Sequence, residues 1–148
     1  SRPIILEVQA LVSESHTANS KRQATGFDTN RLNMLLALLE RKLEIPLSGY
    51  DVFINITGGI KINETSADLA ILAAIISSFR NRAISKQTVF IGEVSLVGDV
   101  RDVFAMDARL KEASMQNISK ALVAKKQLEK SNIKTFIVDE VTKLLEWY

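Results

Sequence analysis

Strand-type and helix-type hydrophobic patterns alternate along the whole chain, and this alternation constrains the fold more than any other feature. Alternating apolar residues predict strands, and apolar residues at three- and four-residue spacing predict helices. The predicted strands are Ile4–Val12, Arg22–Phe27, Tyr50–Thr57, Thr88–Leu96, Asp99–Val103, Ile118–Ala124 and Thr135–Val138. The predicted helices are Asn30–Leu43, Ser66–Phe79, Met106–Met115 and Val141–Trp147, with a helical turn or loop over Lys125–Lys130. This interleaved order predicts an α/β or α+β fold with a mixed sheet. At 148 residues the chain is expected to form one domain, residues 1–148.

Composition excludes several classes of protein and site. Hydrophobic residues make up 47% of the chain, which supplies a core and excludes intrinsic disorder. The chain has no cysteine and one histidine, His16, so disulfides, cysteine-zinc sites and histidine relays are excluded. No metal site is therefore expected, and His16 is predicted to be an exposed turn residue.

Neither a membrane-spanning segment nor an export signal is expected in this chain. Its longest apolar run, Leu69–Ile76, is about half the length that spans a bilayer. The first residues lack the pattern of a secretory signal. A soluble, cytoplasmic protein is expected. The start at Ser1, without a methionine, suggests that the chain was cut from a longer one.

Two local features of the sequence are candidates for chemical sites. Gly58-Gly59 follows a strand, but the surrounding GGIKINETS matches neither nucleotide-binding glycine motif, so a turn is predicted. Ser66 stands at the start of a predicted helix, which suits either an N-cap or a nucleophile near backbone N–H groups. A serine nucleophile needs a base, and His16 lies far away in a polar turn. The N-cap is the favoured interpretation.

Basic residues cluster although the net charge is only +2. The first cluster contains Arg80, Arg82 and Lys86, and a weaker one is Lys21-Arg22. The second cluster is opposed only by Glu129 and consists of Lys120, Lys125, Lys126, Lys130 and Lys134. These residues are either solvated surface or a phosphate-binding face. Aromatic residues do not interleave with them, so base stacking has little support.

Several segments together resemble the C-terminal, Lon-protease-like domain of bacterial RadA (Sms) DNA repair and recombination proteins. The matching segments, in chain order, are LEVQALV, Lys21-Arg22, NRLNMLLALLE, DVFINITGGIKINETSADLAI, GEVSLVGDVRDV and RLKEA. They extend over essentially the whole chain.

The resemblance implies a fold like the second domain of ribosomal protein S5, an α/β sandwich with a mixed sheet and βαβ units. It also implies absent upstream parts, a zinc finger and a RecA-like ATPase, which would bind Zn, ATP and Mg. The parent would be a DNA-dependent ATPase that acts as a hexameric motor in branch migration. Its implied partners are other copies of itself, DNA and a recombinase filament, with no membrane.

The resemblance also implies a degenerate peptidase site. Ser66 occupies the slot of the Lon nucleophile, but Asp107 occupies the slot of the lysine base. Phe104-Ala105 replaces the glycine pair before it. The expected role is therefore a non-catalytic scaffold that contacts DNA. Two alternatives stay open: a peptidase using Lys111 or Lys61 as a displaced base, and a plain protein-interaction domain.

Overall fold

A computed structural model of the chain describes residues 3–59, 61–62, 64–127 and 132–147. The strands are β1 (Val8–Glu14), β2 (Arg22–Thr25), β3 (Tyr50–Ile56), β4 (Thr88–Ile91), β5 (Glu93–Val94), β6 (Val100–Arg101), β7 (Lys120–Val123) and β8 (Lys134–Ile137). The α-helices are α1 (Thr29–Leu43), α2 (Asp68–Arg80) and α3 (Met106–Met115), and 3-10 helices span Thr57–Gly59, Thr65–Ala67 and Val141–Trp147.

The described strands form two three-stranded sheets and one hairpin. In the first sheet the order is β1-β3-β2, with β1 antiparallel and β2 parallel to β3. The second sheet has the order β4-β7-β8 and is entirely parallel. Two neighbouring parallel pairs are joined through helices, as β2-α1-β3 and β4-α3-β7. The predicted α/β class with βαβ units is confirmed, although the strands divide between separate sheets.

Helix α2 lies in the centre of the main hydrophobic core. Its side chains Leu69, Ile71, Leu72, Ile75 and Ile76 are fully buried. The helix contacts β1 of the first sheet and β4 of the second. An almost uniformly apolar helix is stable only where it is covered on most sides, as its sequence predicts.

Helix α1 buries a single leucine stripe against the same core. The stripe consists of Leu32, Leu35, Leu36, Leu39 and Leu43. Asp28 is the N-cap of this helix: its carboxylate accepts a hydrogen bond from the Arg31 N–H at 3.1 Å. This bond satisfies one of the free N–H groups of the first turn.

The long strand predicted over Thr88–Leu96 is interrupted at Gly92. A Cβ atom at this position would lie 2.7 Å from Cγ1 of the buried Val100, so only glycine fits without displacement. The Gly92 N–H donates to the Ser66 carbonyl at 3.1 Å, and its own carbonyl accepts from the Leu69 N–H at 3.1 Å. Gly92 therefore joins the start of α2 to the end of β4 instead of continuing the strand.

The other boundaries differ modestly from those predicted. The first strand begins at Val8 rather than Ile4, and the last helix is a 3-10 helix. Gly98, at φ 95°, lies in the turn between β5 and β6. No helix in the described part of the chain is long and apolar enough to cross a membrane.

Candidate functional site

A groove of about 610 Å³ opens beside Ser66. The start of α2 and strand β4 line the groove. The segment Pro3–Leu6 and the start of α3 with Phe104 line it as well. Most of the lining is apolar, and the charged side chains at the groove are Lys61, Glu64 and Arg109.

Ser66 is held in the 3-10 turn before α2 and is 9% exposed. The α-helix begins two residues later, at Asp68, and its N-cap position is occupied by Ala67. The N-cap position of the 3-10 turn is occupied by Glu64, whose side chain forms no capping hydrogen bond. The predicted N-cap role of Ser66 is therefore wrong. The Ser66 carbonyl, bonded to Gly92, is what fixes this residue in the groove.

Among the described residues that line the groove, none is a buried lysine that could act as a base for Ser66. Asp107 and Lys111 are exposed on α3 and do not line the groove. Lys61 lines it but is exposed, whereas a lysine base requires surroundings that disfavour its charged form.

Arg109 is the other cation of the groove. Its Nε donates to the Phe104 carbonyl at 3.0 Å, and its guanidinium lies 4.9 Å from the Phe104 ring centroid. Its Nη2 lies 3.4 Å from Glu64 Oε2. A guanidinium stays protonated in proteins, so Arg109 can bind an anion but cannot act as a base.

Next to Ser66, Asp68 is fully buried and paired with Arg31. Both Asp68 oxygens accept from the guanidinium, with Arg31 Nε 2.9 Å from Oδ1. Asp68 also accepts from the Val94 N–H at 2.9 Å, and Arg31 Nη2 donates to the Val94 carbonyl at 3.1 Å. The hydrogen bond to Asp68 is the main cause that raises the pKa of Arg31. This network joins α1, α2 and β5, and sequence patterns did not reveal it because its members are far apart in the chain.

The fold brings parts of both basic clusters to one end of the second sheet. The starts of β7 and β8 are neighbours, so Lys120 lies beside Lys134. Lys86 lies two residues before the start of β4, the other neighbour of β7. Helix α2 begins beside the end of β4, at Gly92, so its C-terminal end with Arg80 and Arg82 lies towards the start of β4. We call this group, Arg80, Arg82, Lys86, Lys120 and Lys134, the basic edge.

All five side chains of the basic edge are exposed, and none forms an ion pair with another described residue. Glu14, at the end of β1, also lies towards this end because Val12 bonds to Ser78 of α2. Five cations without an ion-pair partner among the described residues, against one carboxylate at this end, form a local positive surface, although the net charge of the chain is only +2.

The remaining basic candidates lie elsewhere or serve the fold. Lys125 and Lys126 follow the end of β7, at the opposite end of the sheet, where Lys125 Nζ lies 3.8 Å from Asp102. Lys130 lies outside the described residues, as does Glu129.

The Lys21-Arg22 pair lies at the start of β2. The half-buried Arg22 guanidinium donates to the carbonyls of Leu47 and Tyr50 and so secures the loop before β3. Lys21 is exposed, with its backbone N–H bonded to Asp51. His16 is exposed in a bend, as predicted.

The comparisons with known proteins give one family model and a series of similar proteins. The model described as subunit ChlI of Mg-chelatase matches residues 15–127. DNA repair protein RadA of Campylobacter jejuni is 60% identical over 99% of this chain and 32% of its own length. RadA of Helicobacter pylori strain 26695 is 54% identical over 99% of the chain and 33% of its own length. RadA of Pseudomonas aeruginosa is 50% identical over 83% of the chain and 27% of its own length.

The chain thus spans about a third of the length of the first of these relatives. The resemblance to RadA that the sequence motifs predicted is confirmed. The family model covers most of the chain, and the relatives match nearly all of it. This chain therefore belongs to the family described as subunit ChlI of Mg-chelatase, and over nearly its whole length it is similar to part of DNA repair protein RadA.

Proposed function

We propose that this chain is the non-catalytic, Lon-like domain of a RadA-type DNA repair and recombination protein. Its role is to contact DNA through the basic edge and to hold copies of an ATP-driven motor together. The observation that carries the proposal is the convergence of Arg80, Arg82, Lys86, Lys120 and Lys134 at one end of the second sheet. Unpaired, exposed cations gathered from three segments suit the phosphates of a nucleic-acid backbone.

The motor itself belongs to parts of the protein outside this chain. In this proposal the upstream ATPase and zinc finger bind ATP, Mg and Zn, and the whole protein drives branch migration as a ring. Repeated copies of the basic edge around a ring would multiply a weak contact through avidity. A recombinase filament is a further partner of the whole protein in this proposal.

Charge reversal at the basic edge is expected to weaken DNA binding. For Arg82→Glu with Lys120→Glu we expect affinity for a duplex to fall about tenfold or more at low salt. The slope of log affinity against log salt is negative, and it should become less negative by about 2 because two phosphate contacts are lost. Fluorescence anisotropy of a labelled duplex at several salt concentrations measures both quantities.

The matched control is Lys125→Glu with Lys126→Glu, which changes the net charge equally at the opposite end of the sheet. It should change affinity by less than about threefold, through the long-range field alone. Equal losses for the two double variants would show that net charge matters rather than the basic edge. If the wild-type protein shows no measurable DNA binding, the proposed DNA contact is wrong and a plain protein-interaction domain is the better description.

A second candidate function is peptide hydrolysis, because Lys61 lines the same groove as Ser66. We expect no turnover of fluorogenic peptides by the wild-type chain, since the groove offers Ser66 no buried base. Loss of an N-cap side chain typically costs about 1 kcal/mol. Because Ser66 is not an N-cap, Ser66→Ala should lower the free energy of unfolding by less than that. Turnover that is abolished in both Ser66→Ala and Lys61→Met would instead identify an active peptidase.

A further inference from the structure

Tertiary structure places two aromatic rings beside the lysines of the second sheet. The Phe136 and Trp147 ring centroids are 4.6 Å apart in an edge-to-face arrangement. Lys134 Nζ lies 5.3 Å from the Phe136 ring centroid. The three side chains are thus in contact in the order Lys134, Phe136, Trp147, although Trp147 is distant from β8 in sequence.

The strand register sets the lysines and the aromatic rings on one face. Lys134 and Phe136 are two residues apart in β8, so their side chains point to the same side of the sheet. Lys120 and Leu122 are their direct neighbours on β7, and in a parallel pair such neighbours share a face. Leu122 is buried in the main core, and Phe136 packs against this core. Lys120 and Lys134 therefore lie on the same face of the sheet, where it reaches solvent.

Trp147 is 40% exposed at the outer side of this arrangement. Exposed indole is costly in water, and an aromatic face next to cations suits a ligand that is both planar and anionic. Unpaired nucleotides have this chemistry: their bases stack on aromatic rings and their phosphates bind lysines. In a duplex the bases are already stacked on each other, so a single ring at the surface gains little from them.

One of the two acidic groups near this surface is neutralised by a lysine. Asp139, which follows β8, is paired with Lys143, with Oδ1 2.6 Å from Nζ. That hydrogen bond is the main cause that lowers the pKa of Asp139. Glu146 is exposed next to Trp147 in the last 3-10 helix and forms no ion pair with a described residue, so its charge disfavours a phosphate on that side of the indole.

From this geometry we infer that Lys134, Phe136 and Trp147 form a binding site for an unpaired base of single-stranded DNA. Trp147 stacks on the base, Phe136 supports the indole, and Lys134 with Lys120 binds the adjoining phosphates. The inference rests on the proposed DNA contact and adds to it a preference for single strands over duplex.

The chain reports on this site itself, because Trp147 is its only tryptophan. A thymidine oligonucleotide should quench the tryptophan fluorescence, and a duplex of equal length should quench it much less. By anisotropy of labelled DNA, Trp147→Ala should lower single-strand affinity about 5- to 150-fold, the range of one lost stacking contact. Duplex affinity should change less than about twofold, and Trp147→Phe should retain most of the single-strand affinity.

Phe104→Ala is the matched control, since Phe104 is a 76% exposed aromatic residue at the groove near the other end of β4. It should leave both affinities unchanged. If Trp147→Ala and Trp147→Phe bind single strands as tightly as wild type, the stacking site is excluded while duplex binding at the basic edge stands. If wild type binds neither DNA, the proposed DNA contact fails first.

Discussion

Replacing Arg31 by methionine is expected to lower the free energy of unfolding by about 3–5 kcal/mol. The substitution leaves the fully buried Asp68 carboxylate without the guanidinium that binds both of its oxygens. Removing one partner of a buried ion pair costs this much because the remaining charge is neither solvated nor paired. The Val94 carbonyl also loses its bond to Arg31. Urea unfolding of Arg31→Met and wild type, followed by circular dichroism, measures the difference.

Arg109→Met is the matched control, because it also breaks an arginine–carboxylate pair. Arg109 Nη2 is 3.4 Å from Glu64 Oε2, and the Glu64 side chain is largely exposed. Arg109→Met leaves behind a carboxylate that water can solvate, so we expect a loss of only about 0–1 kcal/mol from this pair. Similar losses for Arg31→Met and Arg109→Met would contradict the structural role assigned to the buried pair.

The double variant Arg31→Met with Asp68→Leu adds a further test. Apolar replacements of a buried ion pair are often tolerated because they remove both desolvation costs. Here the Val94 N–H donates to Asp68, so the double variant would leave that buried donor without its acceptor. We therefore expect recovery of only part of the stability lost in Arg31→Met.

The second large effect is expected for Leu72→Ala in the middle of α2. Leu72 is fully buried within the main core, between the two sheets that α2 contacts. Truncation should lower the free energy of unfolding by about 2–5 kcal/mol, from lost burial and the cavity left behind. Leu11→Ala, at a side chain 58% exposed on β1, should cost less than about 1 kcal/mol. Comparable losses at the two leucines would mean that α2 is not the centre of the core.

The hydrophobic pattern predicted helix bounds well where the signals for a helix lie within the helix itself. The bounds of α3, Met106–Met115, were predicted correctly, and α1 needed a shift of one residue. Both helices bury one stripe of side chains, and α1 also carries its own N-cap in Asp28. These signals come from residues within a few positions of each other, so neighbours in sequence are enough to detect them.

Strand patterns were less informative about the sheets. A run of β-type residues over Thr88–Leu96 gave no sign that β4 and β5 belong to different sheets. The break at Gly92 depends on Val100, which lies across the hairpin. Likewise, Ser66 matched an N-cap pattern, but its carbonyl is bonded to Gly92, and the α-helix begins at Asp68.

By itself, the sequence determined the α/β class, the central apolar helix, the family resemblance and the absence of cysteine- and histidine-based chemistry. These follow from residue types and short-range periodicity, which the chain carries before it folds. Tertiary structure alone decided which charges and rings meet. It separated Lys120 and Lys134 from Lys125 and Lys126 by placing them at opposite ends of parallel strands, and it joined the former to Arg80 and Arg82. It also set Trp147 against Phe136 and Arg31 against Asp68, because such contacts are fixed by how the elements pack and not by their distance along the chain.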